Sequence, residues 1–432
     1  MSTTTLDPTL PGDLEAAEPR QKIAWKTPII MTILGLISLV AFALTTGGDI
    51  ASQVTIATGT PGLESFTVSL PSQATIAGLS AVQIILAAFV FWRSGSRRHV
   101  GWWPPFVFGI CFVLAFLLWA VAGKGQALQF TSLLSGALFL SVPLVFGALA
   151  GCVCEHVGVV NVAIEGQLLA GAFLAAVVGA LTGSPWIGLI CAPIAGACVG
   201  ALLALFAVRY WVDHIIVGVV LNVLVTGVTS YLFSTVLSEH TEIFSKPAQL
   251  PVWEIPLLCD IPVLGPVLFE QNVVVYIMYI AVILLQILLF KSRWGLRMRA
   301  CGEHPKAADT VGIKVNLTRI RNTILGGAIA GLGGAYFTVA AGLAFGKDMS
   351  AGRGYIALAA MILGGWSPKG ALLAALLFGF ADNLQNALGV VGVAIPSQFM
   401  LMAPYLVTIF AVAGFVGRVR APAAEGTAYK GS

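Results

Sequence analysis

Residues Lys291–Arg321 read KSRWGLRMRACGEHPKAADTVGIKVNLTRIR, a compact charged island that holds eight of the chain's 23 Lys and Arg. Inside it Pro305 stands where a first helical residue belongs, Lys306, Ala307, Ala308 and Asp309 follow, and Gly312 is placed to end the helix. A short rigid helix on a cytoplasmic loop is what a membrane channel needs if something soluble is to grip and move it. An ordinary basic loop would explain the charge but not the buried-looking face of Ala307, Ala308, Val311 and Ile313.

Working outward, the chain is almost entirely of membrane grade. It is 58% hydrophobic and 10% charged over 432 residues, with a mean hydropathy of +0.93. A soluble globular domain carries about a quarter charged residues, so that class is excluded. The expected fold is all-α, a polytopic membrane protein of about 10–12 transmembrane helices. Apolar runs long enough to cross about 30 Å of hydrocarbon are predicted at 28–45, 74–92, 105–122, 131–150, 163–182, 187–208, 214–238, 273–290, 322–343, 355–366 (short), 370–388 and 398–417.

Basic residues orient these spans, because Lys and Arg are retained on the cytoplasmic side during insertion. With the N-terminus inside, 19 of the 23 fall inside and only Lys124, Lys246, Lys347 and Arg353 outside. Both termini are then cytoplasmic in a multi-pass plasma-membrane protein. Trp25, Trp92, Trp102, Trp103, Trp211, Trp294 and Trp366 fall at the inner boundaries, where amphipathic rings prefer to sit. The net charge of +4 needs no nucleic acid polymer to explain it.

The expected organisation is a disordered cytoplasmic tail at 1–27, a three-span extension at 28–130, a core at 131–420 containing the cytoplasmic loop 291–321, and a cytoplasmic tail at 421–432. The seven cysteines are scattered, which argues against a disulfide framework. Cys152, Cys154, Glu155 and His156 collect metal-type ligands, yet their spacing matches no usual zinc pattern.

Only Glu165 and Asp382 fall clearly within predicted spans, where a carboxylate implies a partner, a cavity or a terminus. Asn161 lies four residues before Glu165, so it either caps a helix whose first turn holds Glu165 or joins Glu165 and Gln167 in lining a pathway. Asp382 reads as the polar outer end of its span. Gly196 with Gly200, and Gly327 with Gly331, have the GxxxG spacing that lets helices approach closely. The short span 355–366, followed by Trp366-Ser367-Pro368-Lys369-Gly370, looks like a broken helix pair beside a cavity, and a possible internal repeat relates it to the region around Glu165.

At these residues the chain resembles a known family. GVVNVAIEGQLLAGAF is similar to the N-I-G-x-E-G-x-x-L-x-G-A signature of ABC importer permeases of the branched-chain amino acid and simple-sugar type. RMRACGEHPKAADTVGIKV resembles that family's R-A-x-G-E-N-P-x-A-A-x-x-x-G-I-x-V loop, with His304 in place of the usual Asn. The C-terminal MAPYLVTIFAVAGFVGRVRAPAAEGTAY is most similar to nucleoside and related sugar permeases. The resemblance implies a coupling helix made by Gly302, Glu303, His304, Pro305, Ala307, Ala308, Asp309 and Gly312, docking into a cytoplasmic ABC ATPase. It also implies a second permease, homologous or identical, and an extracytoplasmic solute-binding protein, with Asn161, Glu165, Gln167, Asn222 and Trp366 on the solute pathway.

The chain has no G-x-x-x-x-G-K-[ST] loop, so ATP would be used by the partner and no cofactor is expected here. Branched-chain amino acid import is one alternative. A secondary transporter using Glu165 or Asp382 as a proton carrier is another. A membrane enzyme fits less well, because no catalytic constellation appears at useful spacing.

Overall fold

The computed structural model describes residues 25–48, 50–56, 66–96, 100–101, 103–125, 127–244, 249–391, 402 and 421–431. Among them are ten helices long and apolar enough to cross a membrane, plus the short apolar helix Arg353–Leu363. The predicted span at 398–417 lies outside the described residues. The fold is all-α and polytopic, and all seven cysteines are free thiols.

The chain divides into two compact units. The first, residues 1–53 and 69–126, contains α1 (Lys26–Ile37, continued by a π-helical turn Ser38–Ala43), α2 (Ser72–Gly95) and α3 (Trp103–Val121). Its small core joins Met31, Ala87, Val90 and Phe108. A buried polar clasp, Ser38 Oγ to Ser80 Oγ at 2.8 Å and Gln83 Nε2 donating to Ser38 Oγ, ties α1 to α2. Ile85 and Trp92 remain exposed, as lipid-facing side chains do.

The second unit, residues 54–68 and 127–432, contains α4 (Phe130–Glu155), α5 (Ile164–Thr182), α6 (Pro185–Ala204), α7 (His214–Leu232), the short α8 (Thr241–Phe244), α9 (Val273–Lys291), α10 (Arg293–Glu303), α11 (Pro305–Thr310), α12 (Val315–Ala335), α13 (Arg353–Leu363) and α14 (Pro368–Val391). A π-helical turn extends each of α6, α7 and α12, and an antiparallel ribbon pairs Val252–Glu254 with Glu270–Asn272.

The GxxxG motifs meet each other. A Cβ on Gly196 would stand 2.1 Å from the carbonyl oxygen of Gly327, and one on Gly331 would stand 2.5 Å from that of Ala192. On the other side of α12, a Cβ on Gly334 would meet the Leu168 carbonyl of α5 at 2.0 Å. In lipid there is no hydrophobic drive between helices, so close backbone approach is what holds such a seam together.

Two expectations need correction. The island is not a loop: α10 and α11 occupy most of it, and α12 starts at Val315, earlier than the predicted 322, so Arg319 and Arg321 are helical. Arg353, expected in an outer connection, is the first residue of α13, and Asp382 lies within α14 and pairs with it, Nη2 to Oδ2 at 3.9 Å. The broken helix pair is present as α13, a tight turn at 364–367, and α14. Close backbone contact between Gly364 and Gly370 forms that turn.

Candidate functional site: a broken-helix junction and a short helix in the basic island

After α4 ends at Glu155, the chain runs without regular helix until Ile164. Ile164 packs against Gly147 and Gly151 of α4, so α5 begins about two turns short of the end of α4, within the span. Such irregular backbone is tolerated at membrane depth only when its polar groups find partners inside the protein. Asn161 does not cap α5: Ala163 holds the cap position without a side-chain bond. Asn161 instead exchanges two amide hydrogen bonds with Gln167, at 3.0 and 3.2 Å, both side chains being fully buried. Asn222 of α7 supplies the cap from outside, its Oδ1 accepting from Gly166 N–H at 2.8 Å. Its Nδ2 donates to the Val162 carbonyl and to Tyr355 Oη.

Glu165 lies in the first turn of α5 and is 5% exposed. Its Oε1 accepts from Gly352 N–H at 2.8 Å and its Oε2 from Gly354 N–H. Gly352 is the cap residue of α13, so one carboxylate joins the N-terminal ends of two helices, where the backbone dipoles favour negative charge. A Cβ on Gly354 would stand 2.4 Å from the backbone nitrogen of Glu165, so only glycine allows this approach. α13 then follows the last part of α4, with Ala357 against Gly147 and Met361 against Gly151. Its 11 residues span about 16 Å, roughly half the hydrocarbon thickness.

The structure thus gathers Asn161, Glu165, Gln167 and Asn222 around the start of α5, each through its own set of hydrogen bonds, and places Trp366 elsewhere. Trp366 (φ +54°) sits in the α13–α14 turn and donates Nε1–H to the Glu155 carboxylate. Sequence reasoning missed Gly352, Gly354 and Tyr355. The run Gly352-Arg353-Gly354-Tyr355, a charge between two glycines at the head of an apolar helix, was the available signal.

The second locus lies at the basic island. α11 covers Pro305–Thr310, with Pro305 first and Gly312 (φ +84°) just beyond its end, as its residue types predict. His304 occupies the cap position but makes no side-chain capping bond. The expected apolar face divides: Ala308 is buried and Ile313 half-buried against Cys301, Val315 and Tyr429, whereas Ala307 and Val311 are exposed, Val311 by 75%. Gly302 is buried because a Cβ there would meet the His156 carbonyl at 2.4 Å, which seats the end of α10 directly on the α4–α5 break. Glu303 accepts from Ala423 N–H, and Asp309 accepts from the Tyr429 hydroxyl at 2.9 Å, a bond that pushes the Tyr429 phenol up.

Known proteins match this arrangement in sequence. The family model described as branched-chain amino acid transport system / permease component covers residues 133–413. The nucleoside ABC transporter permease protein NupC of Lactococcus lactis is 37% identical over 306 residues, 69% of this chain and 96% of that one. The guanosine ABC transporter permease protein NupQ of Bacillus subtilis is 38% identical over 302 residues, 68% and 94%. A putative glucose ABC transporter permease protein of Haloferax volcanii, TsgC13, is 32% identical over 257 residues, 59% and 76%. No solved structure matches the chain. With residues 133–413 matched by the family and both nucleoside-type relatives aligned along nearly their whole length, the chain belongs to the branched-chain amino acid transport system permease family.

Proposed function

We propose that the chain is the permease subunit of an ATP-driven importer of nucleosides, both termini cytoplasmic, working with a cytoplasmic ABC ATPase, a second permease and an extracytoplasmic solute-binding protein. The observation that carries this reading is the likeness, at 37% and 38% identity, to a nucleoside and a guanosine permease. α11 supports the ATPase partner. It is a helix of 6 residues, too short to be stable alone, held by its inner face while Ala307 and Val311 are left exposed. Gly302 links it to the break where α5 begins. In this reading Glu303, His304, Pro305, Ala307, Ala308, Asp309 and Gly312 form and present the docking helix, and displacement of α11 re-forms the junction around Glu165.

Asn161, Glu165, Gln167 and Asn222 hold the broken helix ends, so their contribution to the pathway is to set its shape. Tyr355 is 47% exposed and the Arg353–Asp382 pair is partly exposed, so in this reading they are candidates to meet a polar solute. Branched-chain amino acids and simple sugars are the competing cargoes.

The test is uptake of labelled nucleosides, ribose and branched-chain amino acids by cells with and without the gene, under ATP depletion or an uncoupler. Nucleoside uptake that needs the gene and follows ATP is the expected result. Uptake that collapses with the proton gradient while ATP stays high would replace the reading with secondary transport.

A further inference from the structure

The C-terminal residues 421–431, expected to be a plain cytoplasmic tail, pack between the coupling helix and the α4–α5 break. Toward α10 and α11, Ala424 N–H donates to the Gly302 carbonyl at 2.8 Å, Ala423 N–H to the Glu303 carboxylate, and the Tyr429 hydroxyl to Asp309. Toward the break, Gly426 N–H donates to the Gly158 carbonyl at 3.1 Å. Burial pushes the Glu425 carboxyl up. Arg319 of α12, 1% exposed, donates Nη1–H to the Thr427 carbonyl at 2.7 Å. Lys430 lies over the Trp211 ring beside α7. A Cβ on Gly158 (φ +87°) would stand 2.7 Å from Arg319 Nη2 and 3.1 Å from the Ala424 carbonyl oxygen, so the segment is seated tightly.

We propose that residues 421–431 are a transmission strap, a set of positioning residues through which a pull on α11 reaches the α4–α5 break. The proposal rests on the ATP-driven reading above. Gly302 and His156 touch directly, but a van der Waals contact resists compression and offers almost nothing against separation. The strap is hydrogen-bonded to both sides within a few residues, so it resists being drawn apart. A motor that both pushes and pulls α11 therefore needs the strap for the pulling stroke.

The test uses the complete complex, permeases with ATPase and binding protein, in proteoliposomes. A chain ended after Arg420 and a full-length A424P/Y429F variant are compared with wild type. The double variant removes two of the three bonds to α10–α11 and touches no span. Both are expected to keep hydrolysing ATP while nucleoside moved per ATP falls about fivefold or more, within the range of ordinary coupling between sites. A second readout needs no knowledge of the solute. Amide exchange across 156–163 is expected to respond to a non-hydrolysable ATP analogue in wild type and to lose that response in A424P/Y429F. If the truncated chain fails to assemble, the double variant decides. An unchanged transport-to-hydrolysis ratio with an unchanged exchange response overturns the strap. Absence of any ATP-driven nucleoside uptake in wild type would instead overturn the transport reading, leaving the exchange comparison to judge the strap.

Discussion

The α6–α12 seam and the α10–α11 corner are both built on glycine, and they use it in opposite ways. In the seam, Gly196, Gly200, Gly327 and Gly331 bring two backbones together over two helical turns, and neither helix can slide without steric collision. At the corner, Gly302 makes a single close approach to His156, while α11 beyond it is six residues held by one small apolar cluster and a few hydrogen bonds. A force applied at α11 therefore meets little local resistance and a stiff frame behind it. Behind it lies the segment between α4 and α5, held by Asn222 at the Val162 carbonyl, by Gln167 at the Asn161 side chain and by His214 at the Val160 N–H.

Three substitutions test this contrast. Gly331→Leu drives a side chain into the Ala192 carbonyl and is expected to cost about 3 kcal/mol or more. Its readout is the monodisperse fraction and melting temperature in detergent, and a wild-type melting temperature would show that the seam is not rigid. Glu165→Gln keeps the shape but turns an amide N–H₂ toward one of the two glycine N–H groups. It is expected to cost about 1–3 kcal/mol and to lower uptake with it, both measured on the purified protein. Val311→Asp, on the exposed side of α11, is expected to change stability by less than about 0.5 kcal/mol. ATP-driven uptake should nonetheless be lost together with ATPase co-purification. Normal uptake by that variant would detach α11 from the motor.

Fold class and span order were legible because bilayer thickness forces about twenty apolar residues per crossing, and the seam was legible because GxxxG encodes backbone approach locally. α11 was legible for the same kind of reason, since Pro305 and Gly312 act within one turn. The depth of Glu165 was not. Its partners Gly352 and Gly354 follow it by nearly half the chain, and nothing in the residues around Glu165 specifies them. The partition of Ala307 from Ala308 was equally hidden, because a six-residue helix has too few turns for periodicity to show which face is covered. The tail was hidden too, since its bonds to Gly302 and Gly158 are made by backbone groups that every sequence possesses.

The wide separation of Glu165 from the backbone amides that donate to it has a consequence for how the protein is made. Gly352 and Gly354 are 187 and 189 residues away along the chain. At a synthesis rate of about 5–20 residues per second, roughly 10–40 s pass between the emergence of the carboxylate and that of the backbone amides that satisfy it. During that interval α5 must wait at the edge of the insertion machinery, or lie shallow in the bilayer, with its charge still hydrated. The deep seat of its first turn is thus a late event in biogenesis, completed only when α13 arrives.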